Sequence, residues 1–286
     1  MTETIAPATA IGEIQLLTGN LERLGRFYQE QLGFHLLEEG KDRIVLGAGS
    51  RRLITLVGKA GAQPRSQKGM TGLYHFAVLL PDRRSLARLL VHMAENGTEI
   101  QGASDHGVSE ALYLADPDGN GIELYRDRAK EEWPVDDLNR LMMVTDPLDV
   151  DDLVLELRQG LTPWQGLPDG TVIGHVHLHV ANLMEAEVFY TRVLGFKLMQ
   201  HYGQSAAFVS AGGYHHHIGM NTWAGTGAPP PPPDTTGLRW FEVVLPDTAA
   251  LEAVQARLQE AGHSWKESDG GILVRDPSQN GILLKV

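Results

Sequence analysis

The sequence predicts an α+β protein built from four βαβββ modules, and three observations carry that prediction. Ile11-Gly12, Asn20-Leu21, Phe27-Tyr28 and Leu32-Gly33-Phe34 return as Ile173-Gly174, Asn182-Leu183, Phe189-Tyr190 and Leu194-Gly195-Phe196, every pair shifted by 173 − 11 = 162 positions. Between them lies a second repeated segment. Gly72-Leu73, Leu80-Pro81-Asp82, Asn96-Gly97 and Asp116-Pro117 to Asn120-Gly121-Ile122 are echoed by Gly237-Leu238, Leu245-Pro246-Asp247, Ala261-Gly262 and Asp276-Pro277 to Asn280-Gly281-Ile282. Internal repetition at this scale fixes an architecture before any single element is assigned, because each unit must bury its apolar face against another. Within each unit the apolar spacing changes from two, the period of a half-buried strand, to three and four, the period of a helix.

Taken in order, each module opens on an alternating run such as His175-Val176-His177-Leu178-His179-Val180, which suits a strand with one polar face. An amphipathic helix follows. From Leu21, the apolar residues Leu24, Phe27, Tyr28 and Leu32 line one side, and Gly33 stands where a helix stops. Short strands come next, predicted over 43–46 and 53–57 in the first module and over 206–210 and 216–221 in the third. Between Asp127 and Gly170 the pattern lapses into a partly structured linker, whose acidic stretch 149–157 suits a short helix. The chain thus divides into a two-module domain over 1–127, a linker over 128–170 and a second two-module domain over 171–286. Five consecutive prolines within 228–234 predict a stiff extended loop between the third and fourth modules.

The 286 residues give room for two ordinary domains. With 24 Lys and Arg against 36 Asp and Glu, the net charge of −12 weighs against a nucleic-acid binder, whose affinity rests on cations at the phosphates. The absence of cysteine excludes disulfides, thiolate-bound metals and a cysteine nucleophile. No apolar run approaches a membrane span, and MTETIAPATA lacks the basic and apolar parts of a signal peptide, so a cytoplasmic protein with no membrane partner is expected. Asp116-Pro117-Asp118-Gly119-Asn120-Gly121 has neither the length nor the closing Glu of a calcium loop and reads as a tight turn.

FYxxxLGF closing the first helix of each half, DPDGNGIEL in a last strand, and the segments GHVHLHV, YHHHIGMNTW and DHGVSEALYLADPDGNGIELY together resemble the vicinal oxygen chelate superfamily, which includes glyoxalase I, extradiol dioxygenases and fosfomycin and bleomycin resistance proteins. The resemblance covers nearly the whole chain outside the linker and is strongest to the two-domain bacterial catechol 2,3-dioxygenases. It implies two cupped mixed β-sheets and a metal bound by the inward residue on the first strand of each paired module plus an acidic residue on a last strand. Those first-strand positions hold Glu13, His75, His175 and Trp240 in module order, and the last-strand positions of the second and fourth modules hold Glu123 and Leu283. Neither half owns a full set.

Joining the second module to the third gives His75, Glu123 and His175, the two-histidine, one-carboxylate set of non-haem Fe(II) oxygenases, which leaves coordination positions open. His177 and His179 share a face with His175, so which of them ligates rests on the family register, and Glu13 stands as the alternative third ligand. The resemblance further implies that His217 acts as acid or base, with His215 as the alternative inward residue of that run, that His106 faces the substrate, and that Tyr113 hydrogen-bonds it. The expectation is therefore an Fe(II)-dependent extradiol dioxygenase, with Mn(II) as the alternative metal, taking a small aromatic diol and dioxygen, with homo-oligomerisation left open. The competing readings are a glyoxalase-type isomerase or thiol transferase and a metal-free small-molecule binding protein. The uneven ligands predict that modules two and three share one sheet while one and four pair without a metal; pairing one with two, or pairing across a dimer, are the alternatives. The linker has the reach for this, since ten extended residues span roughly 33 Å.

Overall fold

The structure, a computed structural model, describes residues 4–66, 69–158, 160 and 164–286. Among these, strands of the first and fourth modules form an eight-stranded mixed sheet, and strands of the second and third form a nine-stranded one. In the first sheet Ala10–Thr18 lies antiparallel to Gly237–Val244 and parallel to Arg51–Gly58. In the second, Val172–His179 lies antiparallel to Gly72–Leu79, which runs parallel to Gly121–Asp127. Each sequence half therefore places one module in each sheet, and the second pairs with the third. The last strand of the larger sheet is a two-residue piece of the linker, Asp146–Pro147, added beyond Gly102–Asp105.

Each repeated motif has a physical task. Asn20 and Asn182 cap the helices Leu21–Arg26 and Leu183–Val188, and Asp82 and Asp247 cap Arg83–Glu95 and Thr248–Glu260, each accepting a first-turn N–H. Such caps contribute about 1 kcal/mol apiece. The Phe-Tyr pairs behave differently from the expectation of one continuous α-helix. At Phe27–Gln31 and Phe189–Val193 the backbone widens into a π-helical turn before Gly33 and Gly195 end it at φ of +75° and +91°. The wider turn is compatible with the same apolar spacing, which is why periodicity did not reveal it. It carries the buried Tyr28 hydroxyl to Asp116 Oδ2 at 2.7 Å and the Tyr190 hydroxyl to Asp276 Oδ2 at 3.1 Å. Since Tyr28 belongs to a module of the first sheet and Asp116 to a module of the second, these bonds tie the two sheets together.

The same aspartates organise their turns. Asp116 accepts the N–H groups of Asp118 and Asn120 at 2.9 Å each and the Asn120 side-chain amide at 2.8 Å. The Asp-Pro turns are thus sheet-joining elements. The acidic linker stretch forms the helix Val150–Leu155, and 228–234 is neither helix nor strand, both as expected.

A histidine and carboxylate cluster in the second sheet

The cluster is set by strand register. Ala77, in the central strand Gly72–Leu79, is the backbone partner of His175 on one side and of Glu123 on the other. Alternation along that strand puts His75 on the same face as Ala77, two residues away. The small, fully buried Ala77 leaves space above it, and His175 and Glu123 meet across that space with Nε2 and Oε2 3.1 Å apart. His75 Nε2 is also 3.1 Å from Glu123 Oε2. The expected residues His75, Glu123 and His175 are thereby brought together, with one nitrogen or oxygen from each within 4.8 Å of the others. Glu13 lies in the other sheet.

Electrostatics favours a charged carboxylate at Glu123. Burial alone would push the Glu123 carboxyl up, but attraction to His175, reinforced by hydrogen bonding and by His75, holds it well below its ordinary value. Burial pushes His175 down more than Glu123 raises it. His75 Nε2 and His175 Nδ1 are buried without a hydrogen-bond partner among the described residues, an arrangement that is costly unless another group satisfies them. Two ligand atoms at right angles about an ion with bonds of ~2.1 Å stand ~3 Å apart, close to the separations found here. The residues present fit a divalent metal.

The tight packing behind the cluster depends on Gly174. A Cβ at this position would lie 1.8 Å from the Tyr125 hydroxyl, so no larger residue fits while that hydroxyl bonds to Tyr214 at 2.7 Å. Farther along the histidine face, His177 Nε2 accepts from the Asn221 amide at 2.9 Å and His179 Nδ1 donates to Asn221 Oδ1 at 2.7 Å. Asn221 therefore engages these two rings, and neither belongs to the His75, Glu123 and His175 group.

A cavity of about 310 Å³ opens over His75 and Glu123, with Tyr74, Phe208 and Trp223 among its aromatic walls. His106 and Tyr113 both line it, and His106 Nε2 is 2.7 Å from the Tyr113 hydroxyl. The linker supplies another wall, Met143 to Thr145. It is pinned on one side by two hydrogen bonds between Gln200 and the Met143 backbone, at 2.8 and 3.1 Å, and on the other by His106 Nδ1 donating to the Val144 carbonyl at 2.7 Å.

His217 requires a correction. The run His215-His216-His217 was expected to lie in a strand over 216–221 with alternate side chains inward. That strand begins only at Ile218, and the residues before it bend, so alternation does not apply. His216 lines the cavity, with its ring centroid 4.1 Å from that of His175. His217 is not among the lining residues. Its Nδ1 accepts the Ala211 N–H at 3.2 Å and lies 3.0 Å from Ser210 Oγ, while burial, with His215 nearby, pushes it down to about 4. Sequence reasoning also missed Gln200, Trp223 and the linker wall, whose proximity to the cup follows from contacts between distant segments.

Comparison with known proteins identifies the superfamily. Over 277 residues, 96% of both chains, the sequence is 46% identical to the "Catechol-2,3-dioxygenase" of Bacillus subtilis. It is 29% identical to "Biphenyl-2,3-diol 1,2-dioxygenase 3" of Rhodococcus globerulus over 126 residues, 43% of this chain and 65% of the relative. Glyoxalase I of Zea mays has a similar fold, with a TM-score of 0.56 at 18% identity over 97% of this chain and 92% of that one. The family model described as "Glyoxalase/Bleomycin resistance protein/Dioxygenase superfamily" matches residues 10–124 and 172–284, and the chain belongs to that superfamily.

Proposed function

We propose that the protein is an extradiol dioxygenase that opens the ring of catechol or a substituted catechol, using Fe(II), with Mn(II) as the alternative metal, held by His75, Glu123 and His175. The observation that carries this reading is the juxtaposition of that cluster with an aromatic-walled cavity. The near full-length similarity to the Bacillus subtilis relative supports the reaction class. The bound metal would supply simultaneous attachment of two vicinal hydroxyl oxygens and activation of dioxygen.

The chain's own groups account for the rest. Tyr74, Phe208 and Trp223 hold the aromatic ring by its faces and edges. The Val144 carbonyl can only accept, so His106 carries its hydrogen on Nδ1 and, when neutral, accepts the Tyr113 hydroxyl hydrogen at Nε2. This leaves the Tyr113 oxygen able to accept from a substrate hydroxyl. His216 is kept well below its ordinary pKa by burial and then by His175 and His215, so it is neutral at pH 7 and able to take a diol proton. It replaces His217 as the proposed acid-base group. The glyoxalase-type reading has less support, because the turn at the end of the third module brings an imidazole, and no carboxylate, to the cavity.

The protein is proposed to work in the cytoplasm; no described helix is long and apolar enough to cross a membrane. The test is anaerobic loading with Fe(II), followed by catechol and air. Oxygen uptake with formation of the yellow semialdehyde, carrying both atoms of dioxygen, is expected. Iron-loaded protein that consumes no oxygen with simple and alkyl catechols would overturn the reading.

A further inference from the structure

Behind His216 lies a hydrogen-bonded chain that begins at the end of a strand in the same cup. Asp127 is the last residue of Gly121–Asp127, the strand that carries Glu123. His215 Nε2 is 2.9 Å from Asp127 Oδ1, and His215 Nδ1 is 2.9 Å from His216 Nδ1. The His215 side chain is fully buried, whereas that of Asp127 is 25% exposed and reaches solvent. The Tyr214 hydroxyl donates to the same carboxylate, at 3.2 Å from Oδ1 and 3.0 Å from Oδ2.

We infer that Asp127 and His215 are positioning residues that set the tautomer of His216, which lines the cavity, placing its hydrogen on Nδ1 and its free lone pair on Nε2. The directions follow from donor and acceptor capacity. A carboxylate can only accept, so the hydrogen of a neutral His215 is on Nε2 and its Nδ1 is an acceptor. The 2.9 Å contact then requires His216 to donate from Nδ1. Nε2 is left without a hydrogen. Reversing His215 would put hydrogen on its Nδ1, displace the one on His216 to Nε2, and remove the lone pair that a proton acceptor needs. This inference adds a source of orientation to the proposed reaction and rests on that reading only for its effect on turnover.

Asp127→Asn separates the chain from simple packing. The amide has one oxygen for two donors, Tyr214 O–H and His215 Nε2–H, and its NH₂ favours the reversed His215. Long-range nitrogen–proton NMR of the histidine rings in metal-free protein should show His215 protonated at Nε2 and His216 at Nδ1 in the wild type, and the reverse in Asp127→Asn. Tyr214→Phe removes a hydroxyl from the same carboxylate but keeps the His215 contact, so both tautomers should remain. A doubly protonated His215, His216 protonated at Nε2 in the wild type, or an equal switch in Tyr214→Phe would overturn the inference. In Fe(II)-loaded protein Asp127→Asn should lower kcat for catechol by about 10- to 100-fold with KM little changed, the range seen when an outer partner of a site is altered. An unchanged kcat in a variant whose tautomers had switched would likewise overturn the positioning role. If the wild type shows the expected tautomers but cleaves no diol, the tautomer assignment stands and the dioxygenase reading fails.

Discussion

The two sheets share one plan, yet among the described residues only one holds a metal-type cluster. In the second sheet, His175 and Glu123 flank Ala77 and His75 lies two residues along. The corresponding places in the first sheet hold Glu13, Leu283, Glu242 and Trp240. Three changes close the cup of the first sheet. Trp240 packs with Leu273 and Leu283. Glu242, in the place of the small Ala77, accepts the Glu13 N–H at 2.9 Å and pairs with Lys285 at 3.2 Å. Glu13 is occupied by Arg52 at 2.9 Å and by the Thr55 hydroxyl. Ligand chemistry in this fold thus depends on volume as well as on donor atoms: a carboxylate survives in the first sheet, but the space over the central strand is filled.

The largest effects should come from the proposed ligands. His75→Ala, Glu123→Ala and His175→Ala should each lower metal affinity by more than the roughly 10- to 100-fold typical of changes outside the ligand set, while Glu13→Gln leaves metal content unchanged. Metal titration of the purified variants decides this, and comparable losses in Glu13→Gln would mean that the sheets are not so different. Next, Trp240→Ala should destabilise by about 3–5 kcal/mol, the usual cost of truncating a buried large aromatic, without changing metal stoichiometry. Chemical denaturation beside metal analysis measures both.

Acid should produce the smallest effect. His217 has its pKa lowered to about 4 in the fold, so the unfolded chain takes up its proton first. The resulting contribution is fully present above pH 6.5, declines as pH falls toward about 4, and is at most about 3 kcal/mol. His177 and His216, also pushed well below their usual value by burial, add to the same trend in the same sheet. A stability profile over this range in metal-free protein should flatten in His217→Asn; an unaltered profile would show that His217 is not the group responsible.

Much of this was legible in the chain. Repeats marked the modules, and their uneven ligands indicated which two belong together, because no sequence half supplies both histidines. The caps at Asn20, Asp82, Asn182 and Asp247 were visible as recurring residues, and their hydrogen bonds gave the recurrence a cause. What remained hidden was short-range geometry without a period of its own. The π-helical turns preserve helical apolar spacing, and three consecutive histidines give no sign of which one a bend will turn inward. The linker wall was out of reach for another reason: Gln200 and Met143 are 57 residues apart, and nothing local specifies that they meet.

The interleaved pairing of modules has a kinetic consequence. Ala10–Thr18 finds its antiparallel neighbour only at Gly237–Val244, near the other end of the chain. Contacts of such sequence separation slow folding, since loop closure is entropically unfavourable before the pairing can reward it. During synthesis the first half would emerge with both Ala10–Thr18 and Gly72–Leu79 lacking a partner strand along one edge, an invitation to pair with a neighbouring nascent chain. The cup that gathers His75, Glu123 and His175 is complete only after the third module has left the ribosome, so a metal ion supplied earlier would meet only part of the proposed ligand set.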